Sequence, residues 1–315
     1  MQAITFDAFG PPEVLRISSL SVPRPGPGET VIRVAASSIN PTDLLMRNGA
    51  QASLMVGLKP PFIAGMEFSG HVHEAGSGVS IPEGTPVIGV VNPRRPAGGA
   101  HAQFIRTPAS SIAPLAPSVD LIGAATVPMN ALTATLALGL LNLPRGSSVL
   151  VTGGAGMLGG FAIQLAKRSG LIIVANCGEG DAQLMRDFGA DVVLPRDDGM
   201  KEALRARFPG GVDGLIDGAL IGAVVSGLVR DGGGAVALRR SHPINDERLS
   251  KHYVSVLDGM ERADILRAIA GDLEEGVLKA RVAEGGRFSY RDAVQAHRKA
   301  ETGKMRGRVV VTFEH

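Results

Sequence analysis

Between residues 148 and 257 short apolar, β-branched runs alternate with stretches of helical spacing. Strands are predicted at 149–153, 172–176, 192–195, 214–217, 235–239 and 253–257. Alternation of this kind predicts a parallel sheet wrapped by helices. Just before it, the apolar stretch NALTATLALGLL (130–141) reads as a buried helix. Residues 1–118 have a different texture. Turn signals GPP (10–12), PRPGPGE (23–29), KPP (59–61) and NPRRPAGG (92–99) separate β-like runs at 30–35, 68–74, 86–91 and 102–107. They predict an irregular, mostly β domain. A helix over 260–275 stops near Gly276, and the tail then holds a strand, a helix and a closing strand. Because six strands already complete a doubly wound sheet, the tail is assigned to the first domain. The expected domains are 1–120 with 278–315, and 121–277 inserted between them.

The run VLVTGGAGMLGG (149–160) carries the first chemistry. A strand drops into a glycine-rich turn and opens a helix, and Gly154, Gly156 and Gly159 fit G-x-G-x-x-G. The first glycine makes the tight turn, the second admits backbone to a pyrophosphate, and the third lets helix pack on strand. The anion would sit on the helix N-terminus, where unpaired N–H groups and the dipole favour it. The fold class expected is therefore α/β, a Rossmann doubly wound, parallel six-stranded sheet inserted into a mostly β catalytic domain. A cleft between two domains is a favoured place for a small-molecule site.

Composition narrows the function classes. The 315 residues are 44% hydrophobic and 20% charged, ordinary for a globular protein with a sizeable core. A net charge of +2, Lys/Arg clusters no longer than a pair such as Arg239-Arg240, and 10 Phe, two Tyr and no Trp argue against nucleic-acid binding. Cys177 is the single cysteine, which excludes an internal disulfide and a Cys-rich structural zinc site and points to a reducing compartment. MQAITFDAFG lacks the features of a signal peptide, and no apolar run reaches the ~18 residues needed to span a bilayer. A cytoplasmic protein with no membrane partner is expected.

With these pieces in place the chain resembles the medium-chain dehydrogenase/reductase superfamily, in its zinc-independent, zeta-crystallin-like quinone oxidoreductase branch. The resemblance runs nearly end to end through FGPPEVL, PRPGPGETVIRVAASSINPTD, PPFIAGMEFSGHV, GGAHAQF, LTATLAL, VLVTGGAGMLGG, FGADVV and DAVQAHRKAETGKMRGRVVVTF, in the branch's order. It implies that the first domain is GroES-like. Positions where zinc-dependent relatives have Cys and His hold Asn40 and Met66, so no zinc is expected. Glu67 alone cannot hold a metal and reads as a structural carboxylate. His71 and His73, two apart on a strand, could share a face but lack a third ligand.

What remains is direct hydride transfer from a nicotinamide to a small quinone or enone. The resemblance places Asn40 beside the nicotinamide as catalytic and cofactor-binding residue, where its amide could hydrogen-bond an acceptor carbonyl; the alternative is an Asn-Pro turn residue starting a helix. Asp43 reads as part of that helix start. Thr133 matches a position facing the nicotinamide, or is a helix-interior threonine bonding its own backbone. Leu238 follows the fifth strand, at the sheet's carboxyl edge, and Arg239 stands where the branch has small residues. Met157 and Leu158 within the turn are bulkier than is usual there.

At the end of the second strand, Asn176 and Cys177 occupy the point where an NAD site has a carboxylate, which leans toward NADPH. The branch's phosphate-binding lysine is replaced by Asp181, however, and Arg196 could supply the missing charge, stack on adenine, or be a plain loop cation. NADPH is therefore expected, with NADH possible. Gln51 stands where thioester-reducing relatives have a tyrosine, which favours a quinone. Two alternatives stay open, a 2-enoyl thioester reductase-like enzyme and a catalytically weak NADP-binding regulatory or structural protein. The branch's dimers imply a homodimer paired through HYVSVLDG (252–259).

Overall fold

Two units divide the chain in a computed structural model that describes residues 1–197, 199–303 and 305–314; Lys304 of the tail motif lies outside the described residues. The first unit comprises Met1–Met129, Met260–Gly276 and the chain from Ala280 onward, and the second comprises Asn130–Gly259 with Val277–Lys279.

The first unit opens with β1 (Gln2–Thr5), β2 (Arg16–Ser19) and β3 (Glu29–Ile39), then α1 (Pro41–Arg47). There follow β4 (Glu67–Ala75), β5 (Pro86–Val90), β6 (Phe104–Pro108), β7 (Ile112–Pro114), α2 (Leu121–Ala124) and α3 (Pro128–Leu141), the last continuing into the second unit. β3 is longer than its apolar run predicts, because Ser37 and Ser38 break the alternation yet are buried and hydrogen-bonded. The second unit holds β8 (Ser148–Thr152), α4 (Met157–Arg168), β9 (Ile172–Cys177), α5 (Ala182–Asp187), β10 (Val192–Pro195) and α6 (Gly199–Arg207). It continues through β11 (Val212–Asp217), α7 (Gly222–Val225), β12 (Val229–Ala237) and β13 (Ser250–Tyr253). Back in the first unit come α8 (Ala263–Glu274), β14 (Val282–Ser289), α9 (Ala293–Glu301) and β15 (Arg308–Thr312).

In the first unit β14-β15-β3-β4-β5-β7 form one sheet, with β6 also paired to β3. The pairs are antiparallel except β14 with β15. Its core gathers Phe6, Ile32, Phe68, Ile112 and Val311. Residues 121–129 and 260–276, read from the chain as part of the nucleotide domain, group with this unit. Ser69 Oγ donates to Leu121 O on α2, and Ala116 N donates to Glu274 Oε1 on α8 at 2.7 Å. Neither tie leaves a local mark in the sequence.

The second unit's sheet runs β10-β9-β8-β11-β12-β13, entirely parallel. Successive strands run outward one way from β8, then the other way from β11. The order reverses between those two strands, and ligands bind outside the carboxyl ends at such a switch point. β12 begins six residues earlier than the predicted 235, because Gly232, Gly233 and Gly234 hide its first half. β13 likewise precedes its predicted 253–257 and forms the sheet edge. No helix among the described residues is long and apolar enough to cross a membrane.

Candidate functional site

The glycine turn between β8 and α4 is bent by Gly153, whose φ is +68°, one position ahead of the glycine to which the sequence pattern assigns the turn. A Cβ at Gly154 would come within 2.5 Å of Met185 Sδ. At Gly159 the demand is stricter, since a Cβ would stand 2.3 Å from Gly153 O and 2.9 Å from Gly154 Cα. Helix α4 therefore rests directly on the backbone of the turn. Gly156 is its exposed N-cap and offers no capping side chain, so the first-turn N–H groups and the dipole of this 12-residue helix are presented to an anion. Met157 is only 3% exposed, packed inside rather than over the helix end. Leu158 is half-buried. These features fit a pyrophosphate.

Two side chains hold the turn in place. Thr152 Oγ1 donates to Asp217 Oδ1 at 2.7 Å and accepts from Ala219 N at 3.0 Å, tying the carboxyl ends of β8 and β11. Asn176 Oδ1 accepts from Gly153 N at 3.1 Å, and its Nδ2 lies 3.3 Å from Met200 Sδ. Expected beside the ribose, Asn176 is 2% exposed and acts as a strut of the turn.

At the carboxyl ends of β9 and β10 lies a cavity of about 600 Å³, lined among others by Cys177, Glu179, Arg186, Arg196 and Asp197. That volume falls within the roughly 300–1,000 Å³ of ordinary small-molecule sites. Arg196 lines it, and Arg186 of α5 joins it. Neither arginine has an ion-pair partner among the described residues. Asp181, expected to repel a phosphate, is 8% exposed and is not among the lining residues. Thr133 is buried within α3, and Leu238 directly follows β12.

In the first unit Asn40 directly follows β3 and caps α1, its backbone N–H donating to Asp43 Oδ2 at 2.8 Å. Its side-chain Nδ2 donates to Ser38 Oγ at 3.0 Å and to Glu67 Oε1 at 2.8 Å. Glu67 also accepts the Ser38 hydroxyl at Oε1 and Met129 N–H at Oε2, 2.8 Å away. Burial pushes the Glu67 carboxyl up, while Ser38, Asn40, Met129 and the positive charge of Arg308 pull it back. The consequence for chemistry is specific. The Ser38 and Glu67 oxygens lie beside one another on one side of Nδ2, because Ser38 also bonds Glu67, so the network fixes the orientation of the Asn40 amide. Glu67, which reads as a structural carboxylate, has that role with a stated target. Among the described residues no group of three His, Cys, Asp or Glu could hold a metal.

At the end of α1, Arg47 is 1% exposed and reaches His297 Nδ1 at 3.1 Å, Gly10 O at 3.2 Å and the Glu301 carboxylate. Arginine can only donate, so His297 Nδ1 must accept and the ring is neutral with its proton on Nε2. Burial, with His101 and Arg47 nearby, holds its pKa well below the ordinary 6.5. The unfolded chain thus binds a proton below pH 6.5 that the folded chain refuses, and stability falls with pH there. Asp43 and Glu67, raised by burial, act in the opposite direction, so the histidine is isolated by substitution. Between about pH 7 and about pH 5, wild type should lose more stability than His297→Gln, by up to about 1.4 kcal/mol per pH unit. Denaturant unfolding across that range checks it; parallel slopes would refute the neutral, buried imidazole.

Comparisons with known proteins converge on one family. The family model described as Alcohol dehydrogenase GroES-like domain matches residues 26–117, and that described as Zinc-binding dehydrogenase matches residues 188–311. The quinone oxidoreductase of Coxiella burnetii superposes with a TM-score of 0.86 at 27% identity, over 100% of this chain and 99% of its own. This chain belongs to the medium-chain dehydrogenase/reductase superfamily, in its quinone oxidoreductase branch. A mycobacterial member of the fold solved in complex with NADPH matches at 29% identity and a TM-score of 0.80, over 99% of this chain and 100% of its own. The 2-methylene-furan-3-one reductase of Solanum lycopersicum is 28% identical over 99% of this chain and 79% of its own length. A mitochondrial NAD(P)H oxidoreductase of Drosophila melanogaster is 35% identical over 53% of this chain, and the match spans 45% of that relative. This chain thus spans less than half the length of that relative.

Sequence reasoning missed Arg186, Glu179 and Gly153 as site residues. Gly153 could have been found, because three glycines lie within four positions of the strand end. Arg186 carries no such signal: it reaches the cavity only because α5 returns along β9 and β10.

Proposed function

We propose that the protein is an NADPH-dependent oxidoreductase that reduces a quinone or an α,β-unsaturated carbonyl by direct hydride transfer. The observation that carries the reading is the juxtaposition of an open glycine turn on β8 with an arginine-bearing cavity on the adjoining β9 and β10. When bound, the cofactor supplies hydride from C4 of its nicotinamide. The first turn of α4 receives the pyrophosphate, and Arg186 and Arg196 take the 2′-phosphate through charge-assisted hydrogen bonds. Glu67 and Ser38 hold Asn40 in one orientation.

A quinone fits this residue set better than an enoyl thioester. A reduced quinone oxygen can take its proton from water, whereas carbon protonation requires a placed acid. Neither tyrosine is positioned to be that acid, since Tyr290 is 3% exposed and stacked on Phe313, and Tyr253 lies on edge strand β13 beneath Arg240. Loss of NADPH absorbance in the presence of small quinones is the expected result. No turnover across a panel of quinones and enones would overturn it. The lack of a placed tyrosine acid favours a second reading, a dinucleotide-binding protein with weak catalysis, which tight NADPH binding without turnover would select.

Cofactor choice has its own test. Arg186→Ala combined with Arg196→Ala should weaken NADPH binding by about 10- to 100-fold and leave NADH nearly unchanged. Fluorescence titration of both nucleotides measures it. Equal losses, or none, would remove the arginines from 2′-phosphate recognition and turn attention to Glu179.

A further inference from the structure

We propose that the first unit carries a separate binding site for a small oxyanion, in a pocket flanked by Arg33 and Arg287. The pocket holds about 270 Å³ and is lined by Arg33 of β3, His71 of β4, Ile122 of α2, Arg287 of β14, and Thr312 and Glu314 at the C-terminal end, among others. It lies wholly within one unit and shares no residue with the cavity on β9 and β10. The proposal therefore stands independently of the oxidoreductase reading.

Arg33 is out of place in its strand. β3 is buried along almost its whole length, and Arg33 is its single exposed position. It stands directly opposite His71 in the antiparallel pair, so the two side chains share a face. Arg287 arrives from the other side of β15, which separates β14 from β3. Two arginines and a histidine thus line one small space.

Its charge is not balanced from within. Neither Arg33 nor Arg287 has an ion-pair partner among the described residues, whereas nearby Arg291 is paired with Glu314 at 3.3 Å. Glu314 is the one carboxylate lining the pocket, and Arg291 draws on its charge. An oxyanion lying between the two arginines is attracted by both charges. A guanidinium fork matches the oxygens of a carboxylate or phosphate, which a point charge does not. The volume falls just below the roughly 300 Å³ at which drug-sized ligand sites begin, so a single oxyanion group is the occupant that fits.

Calorimetric titration at constant ionic strength tests the site, with inorganic phosphate in one arm and acetate in the other to separate tetrahedral from planar oxyanions. Because phosphate could also enter the cavity on β9 and β10, the host protein carries Arg186→Ala and Arg196→Ala. Saturable binding of at least one of the two anions is expected. Adding Arg33→Ala and Arg287→Ala should weaken it by at least about tenfold. Glu314→Gln should strengthen it, since a repelling carboxylate is removed. Arg33 and Arg287 are exposed, so the variants should fold, and circular dichroism verifies this. Absence of saturable heat with both anions, or unchanged affinity in the variant lacking Arg33 and Arg287, would overturn the proposal.

Discussion

Glu67→Ala should destabilise the protein by about 3–5 kcal/mol and abolish whatever turnover depends on Asn40. The size follows from what the substitution strands. The Ser38 hydroxyl, the Asn40 amide and the Met129 N–H all donate to this one carboxylate, and Arg308 faces it. Unpaired buried donors cost about 1–3 kcal/mol each, partly recovered as the site relaxes. Glu67→Gln keeps the shape and one acceptor oxygen but turns an amide NH₂ toward either Met129 N–H or the Ser38–Asn40 pair. An intermediate loss of about 1–3 kcal/mol is expected. Urea unfolding of the three proteins measures the order. Turnover per folded molecule then separates positioning from stability, because a purely structural Glu67 would leave kcat of the folded Gln variant unchanged. A Glu67→Ala protein as stable as wild type would refute the network.

Gly159→Ala should weaken dinucleotide binding by about 100-fold and cost about 1–3 kcal/mol of stability. The added methyl would meet Gly153 O at 2.3 Å, and backbone on both sides prevents an easy escape. Helix α4 must therefore shift away from the turn, carrying its N–H groups off the position that suits a pyrophosphate. Gly139→Ala is the control, for Gly139 lies in α3 with nothing within 4 Å of its added Cβ. Removing a helix-interior glycine there should be neutral or stabilise by up to about 1 kcal/mol. Nucleotide titration and thermal unfolding of both variants decide the matter. Similar behaviour at the two positions would sink the packing argument.

Much of this molecule was legible in the chain, for reasons visible at particular residues. The alternation from Ser148 to Tyr253 announced a parallel sheet, and the glycines after Thr152 marked where it can take a dinucleotide. Arg196 was singled out as a cation that could replace the charge missing at Asp181, and it lines the cavity on β9 and β10. Asn176 was singled out for its position, yet its amide faces Gly153 and Met200. Which way a side chain at a strand end turns depends on what packs beside it. The strand's own sequence carries no record of that neighbour.

The sequence by itself determined the strand count of the second unit, the glycine turn and the mostly β character of the first unit, because burial periodicity and turn chemistry are local properties. Only the tertiary structure decided that Glu67 commands Asn40 across 27 positions and Met129 across 62, that residues 121–129 and 260–276 group with the first unit, and that Arg186 joins Arg196. Hydrogen-bond partners and cavity walls are chosen by distances between segments far apart in the chain. No short window contains both members of such a pair.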